Sequence, residues 1–252
     1  MILVRPTSDT SVLPVGLDLR YGTLESERLP LEGVSTLVYC ASMGFGYVPH
    51  LVGQLEQARV KRAVFISTTA IFTTLPSASR ETRLAAEAAV QRSSLDWTIL
   101  RPTMIYGTRR DRNISRLLRF LKRWPVFPLC GNALWQPIYV EDLVHAVVNA
   151  LDSSATSRTT YNVAGSSPLP FADLIHQTGQ AIGRNVRLIP VPLEAAVVAA
   201  RLTRIVTPEQ VRRLAEDKAF DYSDAARDFG FTPRSFTDGV RLEAHTLRLT
   251  GT

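Results

Sequence analysis

The stretch LDWTILRPTMIYG, residues 95–107, carries a short apolar strand, Trp97 to Arg101, cut off by a proline. Pro102 has a fixed φ and no amide hydrogen, so it ends a strand and opens a loop. A strand apolar along its whole length has both faces covered. The pattern recurs on either side. Strands are expected at 1–5, 17–21, 36–41 (TLVYCA), 63–68 (AVFIST) and 160–164 (TYNVA), with helices at 48–58, 81–92, 113–123 and 141–151 between them. Such alternation predicts an α/β fold around a parallel sheet. The segment 81–92 is alanine-rich and strongly helix-forming. In 113–123, Ile114, Leu117, Leu118 and Leu121 make one stripe, with Arg116, Arg119, Lys122 and Arg123 largely opposite. After residue 165 the composition changes. A helix at 170–182 is followed by RLIPVP and by helices around 193–204 and 208–216. Thr207-Pro208-Glu209-Gln210 reads as an N-cap, a first-turn proline and a capping-box glutamine. YSDAARDFGF reads as a short helix stopped by Gly230.

The 252 residues suffice for one large domain or two small ones, and an apolar content of 45% excludes a disordered chain. No run reaches the ~20 apolar residues of a membrane span. The longest candidate, LEAAVVAARLTRIV, is broken by Glu194, Arg201 and Arg204. MILVRPTS is too short for a signal peptide's apolar region. Cys40 and Cys130, far apart and without metal-ligand spacing, read as free thiols in a reducing cytoplasm. His50, His145, His176 and His245 show no metal spacing either. The net charge of +6 is concentrated in TRRDRNISRLLRFLKRW, residues 108–124. That balance suits an anionic ligand. No basic stripe interleaved with aromatics appears, so nucleic acid is set aside as a partner.

Five further stretches follow in order: VFISTTAIF (64–72), LDWTILRPTMIYG (95–107), QPIYVEDLVHAVVNAL (136–151), TYNVAGSSPLPFADLIHQTGQAIGR (160–184) and YSDAARDFGFTPRSFTDGV (222–240). Together they resemble the extended short-chain dehydrogenase/reductases, the family of nucleoside-diphosphate-sugar epimerases and dehydratases. The resemblance implies an incomplete Rossmann-like, doubly wound parallel sheet with a small, mostly helical C-terminal substrate lobe. The NAD(P)-binding domain would span 1–165, with 108–136 as a substrate-side insert, and the lobe 166–252. It also implies a cytoplasmic protein with a small anionic substrate, and allows a homodimer.

In that family a strand ending in Val-Arg before a polar loop is usually the second, so MILVR (1–5) resembles the second strand and YGTL (21–24) the end of the third. The first strand, its glycine-rich turn and the first helix would then have no counterpart here. In the sheet order 3-2-1-4-5-6 the first strand is central, and its turn holds the cofactor pyrophosphate. Three explanations stand open: a true start upstream, a degraded relative that closes its sheet otherwise, or a partner chain in the gap. Gly44-Phe45-Gly46 does not replace that turn, because Pro49 stands where the third glycine of G-x-G-x-x-G is required and suits the first turn of a helix.

Family members use Tyr-x-x-x-Lys and a Ser or Thr. Aligned on LAAEAAV, the tyrosine position is Ser79 and the lysine position Arg83, while Thr69 matches the Ser/Thr. An aliphatic hydroxyl is a far weaker acid than a phenol, and arginine is always protonated. Thr69, Ser79 and Arg83 are the catalytic-position candidates, with Thr69 equally suited to satisfying backbone at a strand end. The resemblance places the cofactor against Arg5, Ala41, Ser42, Ser67, Arg83, Arg101, Pro102, Thr103 and Met104. Arg5 suits the 2′-phosphate of NADP, and nothing acidic ends that strand, which favours NADP over NAD. Substrate contacts are expected from Arg112, Asn113 and Gln136, the alternative for 108–124 being a solvated basic helix face. Glu141 and Asp142 read as helix-start residues. Two functions follow: an atypical NAD(P)-dependent oxidoreductase or epimerase/dehydratase, or a non-catalytic NADP(H)-binding regulator or accessory protein.

Overall fold

A computed structural model describes residues 1–203 and 207–249. Its elements in chain order are β1 (Ile2–Val4), β2 (Leu19–Tyr21), β3 (Thr36–Tyr39), α1 (Val48–Gln57), β4 (Arg62–Ile66), α2 (Ala78–Arg92), β5 (Asp96–Pro102), β6 (Ile105–Tyr106), α3 (Ile114–Arg123), β7 (Val126–Leu129), β8 (Leu134–Trp135), β9 (Ile138–Tyr139), α4 (Val140–Asp152), β10 (Thr159–Val163), β11 (Leu169–Pro170), α5 (Phe171–Gln180), β12 (Arg187–Pro190), α6 (Leu193–Thr203), α7 (Pro208–Leu214), α8 (Ser223–Phe229) and α9 (Phe236–Thr246). A four-stranded sheet runs in the order β10-β5-β4-β3. β3 and β4 are parallel, with Val38 opposite Val64. β1 pairs in parallel with β2, Leu3 opposite Arg20, as a separate two-stranded sheet. Every strand expected from apolar runs is present, as is the α/β class. The helix at α9 and the short strands β6, β7, β8, β9, β11 and β12 were not anticipated. Gln210, the expected capping-box residue, has a side chain outside the described residues.

The chain forms two compact units, and neither follows a simple cut at residue 165. The first takes residues 1–67, 77–99 and 157–159; the second takes 68–76, 100–156 and the residues from 160 onward. In the first unit, Val48, Leu51, Val52 and Leu55 form the buried stripe of α1. They share a core with Tyr39, Phe65, Ala86, Val90 and Ile99. Pro49 occupies the first turn of α1, where its missing N–H costs no hydrogen bond. Gly230 ends α8 with φ 69°, a left-handed cap that only glycine adopts without strain.

The second unit is centred on Tyr106, Ile114, Leu118, Leu121, Tyr139, Leu174, Ile175, Phe236 and Val240. A buried ion pair organises one side of it. The Asp142 carboxylate, 5% exposed in the first turn of α4, accepts from Arg234 Nε at 2.8 Å and from the Arg234 backbone N–H at 3.0 Å. Glu141 meets the same guanidinium at 3.1 Å, and the guanidinium lies 4.3 Å over the Tyr139 ring. The acidic pair that opens α4 thus has a tertiary partner as well as a helix dipole to satisfy. Removing one member of a buried pair leaves the other charge without a counterion. Arg234→Met should therefore lower unfolding stability by about 3 kcal/mol, read from urea denaturation, whereas Glu141→Gln should cost well under half of that.

Candidate functional site

In the first unit the expected residues gather after β3. Ser42 caps a short 3-10 turn, Met43–Phe45, by accepting from the Gly44 N–H at 3.2 Å. Arg83, on α2, lies against that turn: a Cβ on Gly44 would sit 3.3 Å from its Nε. Arg83 Nη1 also donates to Ser79 Oγ at 2.7 Å. The two residues at the Tyr-x-x-x-Lys positions are thus one hydrogen-bonded pair at helical i,i+4 spacing. Ser67, at the end of β4, donates to buried Glu87 from α2. Ala41 is half-buried, and Arg5 is exposed just past β1. The carboxyl ends of parallel strands are where ligands bind in open α/β sheets.

The second unit holds the others. Thr69 is buried, and its hydroxyl donates to the Pro102 carbonyl at 3.2 Å. Arg101 places its guanidinium 5.2 Å over Phe72. The Thr103 hydroxyl donates to the Gln136 carbonyl at 2.5 Å. Gln136 is 3% exposed. Its amide nitrogen donates to Gly165 O and its amide oxygen accepts from Phe220 N–H, both at 2.8 Å. Its side chain is thereby spent on backbone. At Gly165 any side chain is excluded, since a Cβ would lie 2.1 Å from Pro137 O. Asp111 caps α3, accepting from Asn113 N–H at 2.7 Å and Ser115 N–H at 3.1 Å. The Asn113 side chain makes no cap bond of its own.

Thr69, Thr103, Met104, Arg112 and Asn113 line one cavity of about 740 Å³. Its other wall is the segment 211–220, which the sequence did not flag. That segment is tied down at several points. Glu216 accepts from Thr73 Oγ1 at 2.8 Å and from Thr74 N–H at 2.9 Å. Asp217 accepts from Leu134 N–H at 2.8 Å, and Lys218 N–H donates to Leu134 O at 2.7 Å. The Lys218 ammonium sits 4.0 Å over the Trp135 ring and donates to the carbonyls of Arg213 and Glu216. Burial lowers the Lys218 pKa to about 8, with Glu216 acting in the opposite direction. Arg213 also lines the cavity, and its buried Nε–H has no acceptor among the described residues. A buried donor left unpaired is costly. Among the described residues no cluster of His, Cys, Asp or Glu is arranged for a metal ion.

Behind the Arg112 loop lies Glu243, fully buried on α9. Among the described residues, neither of its oxygens has a hydrogen-bond partner of ordinary geometry. Burial, with the Asp111 carboxyl beside it, pushes its pKa up to about 9, against the pull of Arg119. The native state therefore holds a proton that the unfolded chain releases near pH 4.5, and stability falls as pH rises from about 4.5 to about 9. Glu243→Gln should flatten that decline in a series of urea titrations across the window. Lys218 gives a chemical readout, since the chain has three lysines, Lys61, Lys122 and Lys218. Its acetylation rate, followed by peptide mass spectrometry, should rise through a midpoint near pH 8.

Several known proteins share this architecture. A UDP-glucose 4-epimerase from Thermotoga maritima, solved with UDP-glucose, superposes with a TM-score of 0.73 at 15% identity, over 98% of this chain and 90% of that one. A UDP-glucuronic acid 4-epimerase from Bacillus cereus, solved with NAD, gives 0.71 at 14% identity, over 92% and 82%. In sequence, the mitochondrial NADH dehydrogenase [ubiquinone] 1 alpha subcomplex subunit 9 of Arabidopsis thaliana is 30% identical over 152 residues, 58% of this chain and 37% of that protein. The chain spans 37% to 60% of the length of the first three curated relatives it matches. Residues 34–164 match the model of the NAD dependent epimerase/dehydratase family, and the chain belongs to that family.

Proposed function

We propose that this protein binds a nicotinamide dinucleotide and acts on a small anionic substrate, nucleotide-sugar-like or other, as an oxidoreductase or epimerase/dehydratase. The observation that supports the substrate half is that Arg112, exposed, and Arg213 line one cavity. The cofactor half rests on family membership and on the fit of the first unit. Gly44 leaves room for a guanidinium against its backbone, so Arg83 and Ser42 offer polar groups where a ribose or phosphate would lie. Arg5, Ala41 and Ser67 belong to the same reading on that unit. Bound there, the dinucleotide supplies a hydride donor or acceptor. Arg83 stays protonated, so it orients and neutralises but does not shuttle a proton. Ser79, held by Arg83, is too weak an acid for the tyrosine's task.

That last point favours a second reading, a non-catalytic NADP(H)-binding regulator or accessory protein. The Arabidopsis relative, which carries the name of a subunit of a larger complex, supports it. Under either reading Arg5 favours NADP, and the thiols of Cys40 and Cys130 suit a reducing cytoplasm. Titration with NADPH and NADH, followed by nicotinamide fluorescence, tests the common core. NADPH should bind more tightly, Arg83→Ala should weaken both by about tenfold, and Arg5→Glu should reverse the preference. Binding of neither dinucleotide would refute both readings. Turnover of a nucleotide-sugar panel by the NADPH-binding protein would establish the first, and tight unreactive NADPH the second.

A further inference from the structure

A second hollow, of about 290 Å³, adjoins the main cavity of the second unit and shares Met104, Asn113, Trp135 and Leu214 with it. Its walls differ in kind. Leu117, Phe120, Phe127, Trp135, Phe171 and Leu174 make them. The rings are locked to one another: Trp135 stacks on Phe171 with centroids 5.0 Å apart, and Phe127 meets both Phe120 and Phe171 edge-on at 5.9 and 6.1 Å. Polar groups enter only at the rim, from Asn113 and Arg116. The main cavity next door is lined by Arg112, exposed and with no partner among the described residues, by Arg213 and Lys218, and by Glu216 and Asp217, whose carboxylates are taken up by Thr73, Thr74 and Leu134.

We infer that this paired cavity takes an amphipathic anion, with its charged group between Arg112 and Arg213 and an apolar ring or chain in the aromatic hollow. The inference deepens the substrate reading given above, because it names the chemistry of that site. A nucleobase is a poor occupant of the smaller hollow. Its edge carries amide-like N–H and C=O groups, and the ring-lined walls offer them no partners. Burying such groups unpaired costs more than stacking returns. An aryl or alkyl group gains contact with every wall and loses no hydrogen bond. The hollow is of a size for one or two fused rings, near the lower end of ordinary ligand pockets. The Lys218 ammonium, held by the carbonyls of Arg213 and Glu216, rests on Trp135 and keeps it in place as the shared wall, so the hollow is formed before a ligand arrives.

Calorimetric titration of the full chain, without nicotinamide, with 1-naphthyl phosphate, uridine 5′-monophosphate and methyl phosphate tests this. 1-Naphthyl phosphate should bind about tenfold or more tighter than uridine monophosphate, the worth of one unpaired buried polar group, and methyl phosphate should be weakest. Arg112→Gln should weaken all three by a similar factor. Leu117→Trp, which fills the hollow from a half-buried position, should abolish the naphthyl preference; Leu214→Phe is the second filling variant should the first not fold, as judged by its thermal transition. Equal or tighter binding of uridine monophosphate would overturn the inference. So would a naphthyl preference that survives a folded filling variant. Because no dinucleotide is present, a failure here leaves the cofactor titration untouched, and a failure there leaves this result standing.

Discussion

A carboxylate with one guanidinium to answer it governs the second unit. Asp142 is taken out of water at the start of α4, and Arg234 reaches it with a side-chain and a backbone donor. Burial of this kind is unfavourable for either partner alone, so the contact is made together or lost together. What it fixes is wider than two residues. Arg234 rests on Tyr139, which meets Tyr106 edge-on at 5.4 Å, and Tyr106 packs on Phe236. Both tyrosines introduce the segments that build the cavity. Tyr106 leads into the arginine loop, and Tyr139 follows Gln136 and Trp135 by a few residues.

The cavity itself rests on a division of labour among charges. Glu216, Asp217 and Lys218 are committed to the protein's own backbone and hydroxyls, and they hold one wall in place. Arg112 and Arg213 are not so committed. Arg213 shares that wall, and Arg112 stands in the arginine loop across from Glu216–Lys218 in the lining of the same cavity. The hollow beside it is walled by Phe120, Phe127, Trp135 and Phe171 instead.

Much of this was legible in the chain. Apolar runs such as AVFIST and WTILR located the strands because a strand covered on both faces leaves an uninterrupted signature. Thr69, expected at a catalytic position, and Arg112 and Asn113, expected as substrate contacts, line one cavity. Gln136 was expected to face substrate, yet its amide is bonded to Gly165 and Phe220, a detail that depends on residues 29 and 84 positions away. The segment EDKAF escaped notice for a similar reason. Its lysine acquires meaning only from Trp135, and nothing local in either stretch announces the other. Helix α9 was missed because its apolar residues, Phe236, Val240 and Ala244, are interspersed with glycine and charge. The Asp142–Arg234 pair lay across 92 residues, beyond the reach of any periodicity.

Gly165 shows where this scaffold is brittle. The backbone there runs so close to Pro137 that one added methyl has nowhere to go. The exposed arginines of the loop, Arg109, Arg110 and Arg112, carry no such steric limit. Sequences descending from this one are therefore expected to diverge quickly around the rim and hardly at all at that single crossing, so a comparison of relatives would find the slowest clock at a residue with no side chain.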